Sequence, residues 1–183
     1  MFKSLRFKKH SMKARYILLF LVCCQASFLQ SQNKEITTEE TSYYFIRHAE
    51  KNRSNPKDSN PELNAEGKTR ALNWAYFFRE IPLDAIYSTN YIRTISTAQP
   101  VADDKNLPII IYNPNELDIK NFMKENQGRL VLVVGHSNTT PKLVNAMLGD
   151  QKFEQMQDND NSSLFIIRES NGKMTAERIS VSY

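Results

Sequence analysis

Cysteine, glycine and histidine are all scarce in this chain of 183 residues. It has two cysteines, Cys23 and Cys24, three histidines and five glycines. Because both cysteines lie near the N-terminus, the rest of the chain has no disulfide to form and no thiol to oxidise. The Gly-x-x-x-x-Gly-Lys-Ser/Thr pattern is absent, which removes support for a nucleotide site of the Walker type. The two histidines beyond residue 24, without cysteine and without compact ligand spacing, do not favour a zinc site.

Positive charge is also scarce once the N-terminus is set aside. Six of the 24 Lys and Arg residues fall within the first fifteen positions, a stretch that has no Asp or Glu. Without this stretch 18 basic residues stand against 20 acidic ones, so the net charge changes from +4 to −2. That balance provides no basic surface for nucleic acid, and we expect no nucleic-acid partner.

An apolar run over residues 16–24 follows the basic stretch, and small or polar residues follow the run. It is shorter than the roughly 20 residues that span a bilayer. This layout is typical of a secretory signal peptide, so we predict a signal peptide over 1–31, a polar spacer over 32–41 and the folded domain over 42–183. We therefore expect a secreted or periplasmic protein with no stable membrane span in its mature form. Two alternatives stay open: an uncleaved N-terminal anchor, and lipidation at Cys23 or Cys24.

Segments with strand and helix patterns alternate beyond the spacer. Apolar runs predict strands at 43–47, 85–88, 109–112 and 130–135, and a turn at Asn171-Gly172 predicts a hairpin of 163–169 with 173–181. Helices are predicted at about 64–81, 90–104, 116–126 and 139–148. This order is typical of an α/β fold. We predict a three-layer sandwich in which helices flank a mostly parallel central sheet with a C-terminal antiparallel hairpin.

Details of these elements give further expectations. Asn64 is the candidate N-cap of the first helix, which we expect to bury Leu72, Ala75 and Tyr76. Pro100 is expected to bend or divide the second helix. The polar segment 155–161 is interpreted as a loose loop.

Polar residues follow three of the predicted strands. Arg47 and His48 follow the first, Arg93 lies early in the helix after the second, and His136 follows the fourth. Because ligands of open α/β sheets bind outside the carboxyl ends of the strands, we expect these side chains to meet there. Two arginines and two histidines together indicate a phosphate pocket around a nucleophilic histidine.

Four motifs in this order carry a resemblance to a known family. They are Arg47-His48-Ala49-Glu50-Lys51, Leu63-Asn64-Ala65-Glu66-Gly67, Ser88-Thr89-Asn90-Tyr91-Ile92-Arg93-Thr94 with Thr97-Ala98, and Val134-Gly135-His136-Ser137-Asn138-Thr139. The set resembles the histidine phosphatase superfamily, branch 1, the phosphoglycerate-mutase-like group, over roughly residues 43–148. Ala49 stands where glycine is commoner in that family, a departure that we expect to cost little.

The resemblance implies a role for each of the four residues. His48 matches the nucleophile, whose ring nitrogen attacks phosphorus to give a phosphohistidine that water hydrolyses. Arg47 and Arg93 match the arginines that bind the phosphoryl oxygens with paired N–H donors. His136 matches the second histidine, a donor to the phosphate.

The leaving oxygen needs a proton, and the resemblance points to Glu116 as its donor. Asp118 and Glu50 remain alternatives. Further substrate contacts are expected from the polar loop after the nucleophile, with Asn52 and Ser54 as the candidates and Arg53 and Asn55 as open alternatives. Ser137 and Asn138, near the amides that begin the last helix, are expected to contribute as well.

The function expected is hydrolysis of a small polar phosphomonoester, with no metal and no cofactor. A mutase is disfavoured because the chain lacks long insertions that would keep water from the intermediate. Protein phosphohistidine phosphatase activity is the nearer alternative. A non-catalytic module that binds a phosphate ligand on the same fold is the other, and it gains weight if Glu116, Asp118 and Glu50 all face away from the pocket.

Overall fold

The computed structural model describes residues 40–182. The predicted signal peptide 1–31, most of the spacer 32–41 and the two cysteines lie outside these residues. No helix in the described part combines the length and the apolar character that crossing a membrane requires.

Six strands and four helices alternate along residues 40–182. The strands are β1 (Thr41–Arg47), β2 (Ala85–Thr89), β3 (Ile109–Tyr112), β4 (Leu130–Gly135), β5 (Ser163–Ser170) and β6 (Lys173–Ser180). The helices are α1 (Ala65–Phe78), α2 (Ile92–Lys105), α3 (Ile119–Glu125) and α4 (Thr139–Leu148). Every predicted strand is present, because the apolar runs that mark the strands are bounded by turn or cap residues.

The strands form one sheet in the order β3-β2-β4-β1-β5-β6. Strands β1 to β4 are mutually parallel, while β5 pairs antiparallel with β1 and β6 antiparallel with β5. The register pairs Arg47 with Gly135, so β1 and β4 end at the same level of the sheet. The prediction of a mostly parallel α/β sheet with a C-terminal antiparallel hairpin is confirmed.

Helices cover both faces of the sheet. On one face Tyr43, Val131 and Val133 pack in a cluster with side chains of α3 and α4. On the other face Ile46 and Val134 pack in a cluster with side chains of α1 and α2. Because β1 and β4 are central, their side chains are buried on both faces, and this is why the Leu-Val-Leu-Val-Val run shows no alternation.

The buried face of α1 differs from the prediction. Leu72 is 63% exposed and Tyr76 is 67% exposed, whereas Trp74 is fully buried. The helix has apolar residues on two sides. The side that carries Gly67 packs against the segment after β1, where a Cβ on Gly67 would lie 2.2 Å from the carbonyl oxygen of Glu50. The helix thus approaches the sheet along its glycine side.

The structure confirms one predicted helix start, shifts another and shows the helix with Pro100 undivided. The Asn64 side chain accepts a hydrogen bond from Gly67 N at 2.8 Å, so the predicted N-cap of α1 is confirmed. The third helix begins at Ile119, later than predicted, because the Asp118 carboxylate accepts from Lys120 N at 3.0 Å and becomes its N-cap. Helix α2 contains Pro100 and continues undivided to Lys105.

Candidate active site

The four residues predicted to bind and attack phosphate lie around one cavity at the carboxyl ends of β1, β2 and β4. The cavity has a volume of about 520 Å³, and Arg47, His48, Arg93 and His136 all line it. The ring centroids of the two histidines are 5.4 Å apart. The cavity is called the histidine cavity below.

His48 is held on its main chain and on its ring. Its N–H donates to the Gly135 carbonyl at 3.0 Å, and its own carbonyl accepts from the Asn161 side-chain amide at 2.7 Å. Its Nδ1 lies 2.8 Å from the Ala49 carbonyl oxygen, which can only accept, so Nδ1 carries the proton. The other nitrogen, Nε2, therefore keeps its lone pair.

The ring of His48 is neutral at physiological pH. Burial first, and then the neighbouring Arg47, His136 and Arg93, together lower its pKa from 6.5 to about 3, against the opposing effect of the hydrogen bond to Ala49. A neutral ring with a free lone pair is the form that attacks phosphorus.

His136 is half-buried between Thr89 and Arg93. Its Nε2 lies 2.9 Å from Thr89 Oγ1, and the Arg93 Nη2 group donates to its Nδ1 at 3.4 Å. Burial lowers the pKa of His136 to about 4, with the positive charges of Arg93, Arg47 and Lys51 acting in the same direction.

Arg47 is anchored by the segment 155–161, which the sequence indicated as a loose loop. Its Nη1 group donates to the carbonyls of Gln157, Asp158 and Asp160 at 3.0, 2.9 and 3.1 Å. Its Nη2 group donates to the Asp158 carboxylate at 3.1 Å. The guanidinium is 3% exposed, so the loop fixes both its position and its orientation.

Arg93 is held from a different direction. Its Cζ atom lies 4.4 Å from the centroid of the Tyr91 ring, and the Tyr91 ring meets the His136 ring edge to face. The Nε groups of Arg93 and Arg47 are buried and have no hydrogen-bond partner within the described residues. Buried donors without acceptors are costly, so each of the two arginines carries one unmet N–H group.

The three carboxylates expected to supply the proton do not line the histidine cavity. Glu116 lines a separate cavity of about 390 Å³ beside Tyr112 and Phe122. Asp118 caps α3 with its side chain. Glu50 Oε1 accepts from the Arg70 Nε and Nη2 groups, each at 2.7 Å. Its Oε2 is buried and has no hydrogen-bond partner among the described residues, and Glu50 lines a cavity of about 720 Å³ together with His48. The predicted donor Glu116 therefore lines a different cavity from the two histidines, although Asn113, Pro114 and Asn115 just before it line the histidine cavity.

A different acid, Asp158, is the one carboxylate among the residues that line the histidine cavity. It bridges two arginines, with Oδ1 at 3.1 Å from Arg47 and Oδ2 at 2.8 Å from Arg53. The hydrogen bond from Arg53, and then that from Arg47, holds the pKa of Asp158 below its usual range. No signal in the sequence identifies this residue, since the loop that carries it has neither periodicity nor a turn motif.

The predicted substrate-binding residues divide into three groups. Ser137 and Asn138 line the histidine cavity. Asn52 lines an adjacent cavity of about 720 Å³, which shares His48, Lys51 and Asp158 with the first. Ser54 is exposed in a turn and lines neither cavity, because its main-chain N–H donates to Asn52 Oδ1 and closes that turn.

Within residues 40–182, no group of three or more His, Cys, Asp or Glu side chains is clustered closely enough to hold a metal ion.

Comparison with known proteins supports one family. The family model of the histidine phosphatase superfamily (branch 1) matches residues 43–114. No curated protein sequence is similar enough to count as a match.

Solved structures share the fold at low sequence identity. A mycobacterial glucosyl-3-phosphoglycerate phosphatase superposes with a TM-score of 0.63 and 13% identity, over 78% of this chain and 100% of that one. Phosphoserine phosphatase from Entamoeba histolytica gives 0.62 and 15%, over 78% and 98%. The protein histidine phosphatase SixA, complexed with tungstate, gives 0.61 and 17%, over 76% and 96%.

Proposed function

We propose, because the chain belongs to branch 1 of the histidine phosphatase superfamily, that it hydrolyses small phosphomonoesters by way of a phosphohistidine on His48. The observation that carries this proposal is the lone pair of His48 Nε2 beside a cavity that the guanidinium donors of Arg47 and Arg93 also line. Phosphoryl oxygens are the acceptors that such donors fit.

The chemistry follows from these positions. The Nε2 lone pair attacks phosphorus while the bond from phosphorus to the ester oxygen breaks and its electrons stay on that oxygen. Arg47 and Arg93 bind the other oxygens of the phosphoryl group, on which charge develops during transfer. Water then attacks the phosphohistidine, and the P–N electrons return to Nε2. Neither step requires a metal or a cofactor.

The two cavities suggest a polar substrate. Asn64, Arg53 and Asn159 line the adjacent cavity beside Asn52, and they offer amide and guanidinium groups to the organic part of a phosphoester. Solved structures of similar fold include phosphatases of glucosyl-3-phosphoglycerate and phosphoserine, which are small and polar. A small phosphorylated metabolite is therefore the partner that we propose.

The proposal extends to an acid-type phosphatase. The pKa values of His48, His136 and Asp158 are all lowered, so none of these three groups is a protonated acid near neutral pH. A substrate that carries its own proton, the monoanion present at acidic pH, suits such a cavity.

A second candidate is a protein phosphohistidine phosphatase. The observation that favours it is the absence, among the described residues lining the histidine cavity, of any acid other than the ion-paired Asp158. A phosphorylated imidazole leaves from its nitrogen without the strong acid that an alkoxide requires. The fold similarity to SixA is consistent with this candidate.

The deciding experiment measures phosphate release by the full-length chain in EDTA. Substrates are p-nitrophenyl phosphate, phosphoserine, phosphoglycerate and a phosphohistidine peptide, and the variant is His48→Ala with Arg79→Lys as a surface control. We expect release by wild type and control alone, and an acid-labile, base-stable phosphoryl label on His48. Release by His48→Ala at the wild-type rate contradicts the covalent mechanism. Phosphate binding without release from any substrate supports the non-catalytic module.

We also propose that residues 1–31 direct export, which places the protein in the periplasm or outside the cell. The support is the basic stretch followed by the apolar run at 16–24. Cell fractionation of the tagged full-length chain tests this. Recovery with the cytoplasm contradicts export, and recovery with membranes supports an anchor or a lipid at Cys23 or Cys24.

A further inference from the structure

The peptide group between His48 and Ala49 is held at both of its polar atoms. The Ala49 N–H donates to Thr97 Oγ1 at 2.9 Å, and the His48 carbonyl accepts from the Asn161 side-chain amide at 2.7 Å. Thr97 lies in α2 and Asn161 lies in the 155–161 loop, so two separate parts of the chain hold one peptide group. Because Thr97 and Ala49 are fully buried, the bond between them is shielded from solvent.

The hydroxyl of Thr97 has only one way to make its two hydrogen bonds. Its Oγ1 also lies 2.7 Å from the Arg93 carbonyl oxygen, which can only accept, so the hydroxyl proton points to Arg93. The Ala49 N–H can only donate, so it uses a lone pair of the same hydroxyl oxygen. One hydroxyl therefore connects the main chain beside His48 to the main chain of Arg93.

Ala49 is held by its methyl group and its carbonyl as well. The methyl packs in a small buried cluster with Leu63 and Ala71. The carbonyl accepts from Nδ1–H of the His48 ring at 2.8 Å, which leaves the lone pair on Nε2. The orientation of the nucleophilic ring therefore depends on the orientation of the main chain at Ala49.

Thr97 belongs to one of the motifs that carry the family resemblance, yet the proposed reaction has no contact for it. The described linings of the histidine cavity and of the adjacent cavity include His48 and do not include Thr97. Its hydroxyl makes its bonds to two main-chain groups instead. Any contribution of Thr97 to the reaction is therefore an effect on where His48 lies.

We propose that Thr97 is a positioning residue, which holds the His48 ring in its attacking position by fixing the peptide group after His48 to α2. The same helix carries Arg93, so one hydroxyl sets the place of the nucleophile relative to an arginine of the cavity. The inference rests on the proposed phosphatase function and adds no step to it. Misplacement of a reacting atom by about 1 Å can lower a rate about 100-fold, so a fixed peptide group matters for the reaction.

Two matched pairs of side chains at position 97 isolate the hydroxyl. Thr97→Val differs from the wild type in a methyl that replaces the hydroxyl, and it leaves the buried Ala49 N–H without an acceptor. Thr97→Ser and Thr97→Ala both lose the methyl and differ from each other only in the hydroxyl. This second pair makes the same comparison if Thr97→Val does not fold.

Thr69→Val is the matched control. Thr69 Oγ1 donates to the Ala65 carbonyl at 3.2 Å, four residues earlier in α1, as Thr97 Oγ1 does to the Arg93 carbonyl in α2. Thr69 is exposed and holds no other part of the chain through its hydroxyl within residues 40–182. The control therefore removes the same local bond without releasing the nucleophile.

The kinetic test follows formation of the phosphohistidine from p-nitrophenyl phosphate in a single turnover of the full-length chain. The leaving group of this ester needs no proton, so the rate reports attack by His48. We expect Thr97→Val to be at least about tenfold slower than the wild type per folded molecule, and Thr97→Ala slower than Thr97→Ser by a similar factor. Inorganic phosphate should inhibit all variants with constants within about threefold of one another, because both guanidinium groups remain.

The hold from two sides also predicts coupling between Thr97 and Asn161. Asn161→Ala frees the carbonyl of the same peptide group whose N–H is freed by Thr97→Val. Because either change releases this one group, the double variant should lose less rate than the product of the two single losses. Losses that multiply would mean that the two bonds act independently, which contradicts the inference.

Two other results overturn the inference. The first is a rate in Thr97→Val within about twofold of the Thr69→Val control, or equal rates in Thr97→Ala and Thr97→Ser. The second is a rise in the phosphate inhibition constant as large as the loss of rate, since the arginines would then be the displaced groups. A wild type that forms no phosphohistidine and releases no phosphate overturns the proposed function itself.

Discussion

The side-chain amide of Asn161 donates a hydrogen bond to the main-chain carbonyl of His48 at 2.7 Å, across 113 positions of sequence. Asn161 is 7% exposed. The bond connects the 155–161 loop to the nucleophile, and the bonds from Arg47 to the same loop add to it. The loop and the catalytic strand end therefore form one rigid unit.

Replacing Asn161 by alanine should weaken both stability and activity. The His48 carbonyl would lose its partner in a buried setting, which costs about 1–3 kcal/mol of unfolding free energy. We expect a lower urea midpoint and a kcat reduced about tenfold or more through misplacement of His48. Gln99→Ala removes an exposed amide that bonds to Asp103 within α2, and it should change neither quantity. A loss in Asn161→Ala no larger than in this control contradicts the rigid unit.

Arg93→Lys should weaken phosphate binding while the fold survives. Lysine keeps the charge but loses the paired N–H donors, including the buried Nε. We expect the inhibition constant of inorganic phosphate to rise about 10-fold to 100-fold, with an unfolding free energy within about 1 kcal/mol of the wild type.

The same exchange at Arg47 has a different expected signature. Arg47 also supplies donors to three loop carbonyls, so Arg47→Lys should lower stability and phosphate binding together. Calorimetry and phosphate inhibition measured on both variants test the contrast. An identical stability loss in the two would mean that the loop does not depend on Arg47.

The low pKa of His48 predicts a loss of stability in acid. The pKa is about 3 in the folded chain against 6.5 for a free ring. As pH falls, the unfolded chain takes up the proton first, so the stabilisation present above pH 6.5 is lost progressively toward pH 3. From pH 7.5 to pH 4.5, the titration of this ring should lower the free energy of unfolding by about 2–3 kcal/mol.

His48→Gln removes that titration. Urea unfolding at pH 7.5 and 4.5 should show a smaller decrease in stability for the variant than for the wild type. A decrease of the same size in both would mean that the folded chain protonates His48 as readily as the unfolded one.

Glu116→Gln tests the proton donor that the sequence suggested. Glu116 lines a different cavity from the histidines, so we expect kcat to stay within about twofold for alkyl and aryl esters alike. A selective loss of activity toward the alkyl ester would restore Glu116 to the donor role.

The sheet was predictable because its central strands carry unbroken apolar runs. Residues 130–135 are buried on both faces, and their position fixes where Gly135 and His136 lie. The four phosphate-site residues follow strand ends, so topology alone brings them together. The Asn64 cap and the Asn171-Gly172 hairpin turn have local signatures that survive in the fold.

Features without a local signature were missed. The buried face of α1 depends on contact between Gly67 and Glu50, which lie on different elements. The 155–161 loop holds Arg47 through main-chain carbonyl oxygens. Every residue has such an oxygen, so the side chains of the loop do not indicate this contact. Glu116 was assigned by its match to the family position after the third strand, and it lines a different cavity from the histidines.

The anchoring of Arg47 also sets an order of assembly as the chain is synthesised. The two histidines and two arginines of the site have all been synthesised once residue 136 is added, yet the first carbonyl that holds Arg47 lies 110 positions after it. A nascent chain that ends at residue 136 lacks the carbonyl oxygens that orient this guanidinium. We expect hydrolytic competence only after residues 157–160 have been made and accept hydrogen bonds from Arg47.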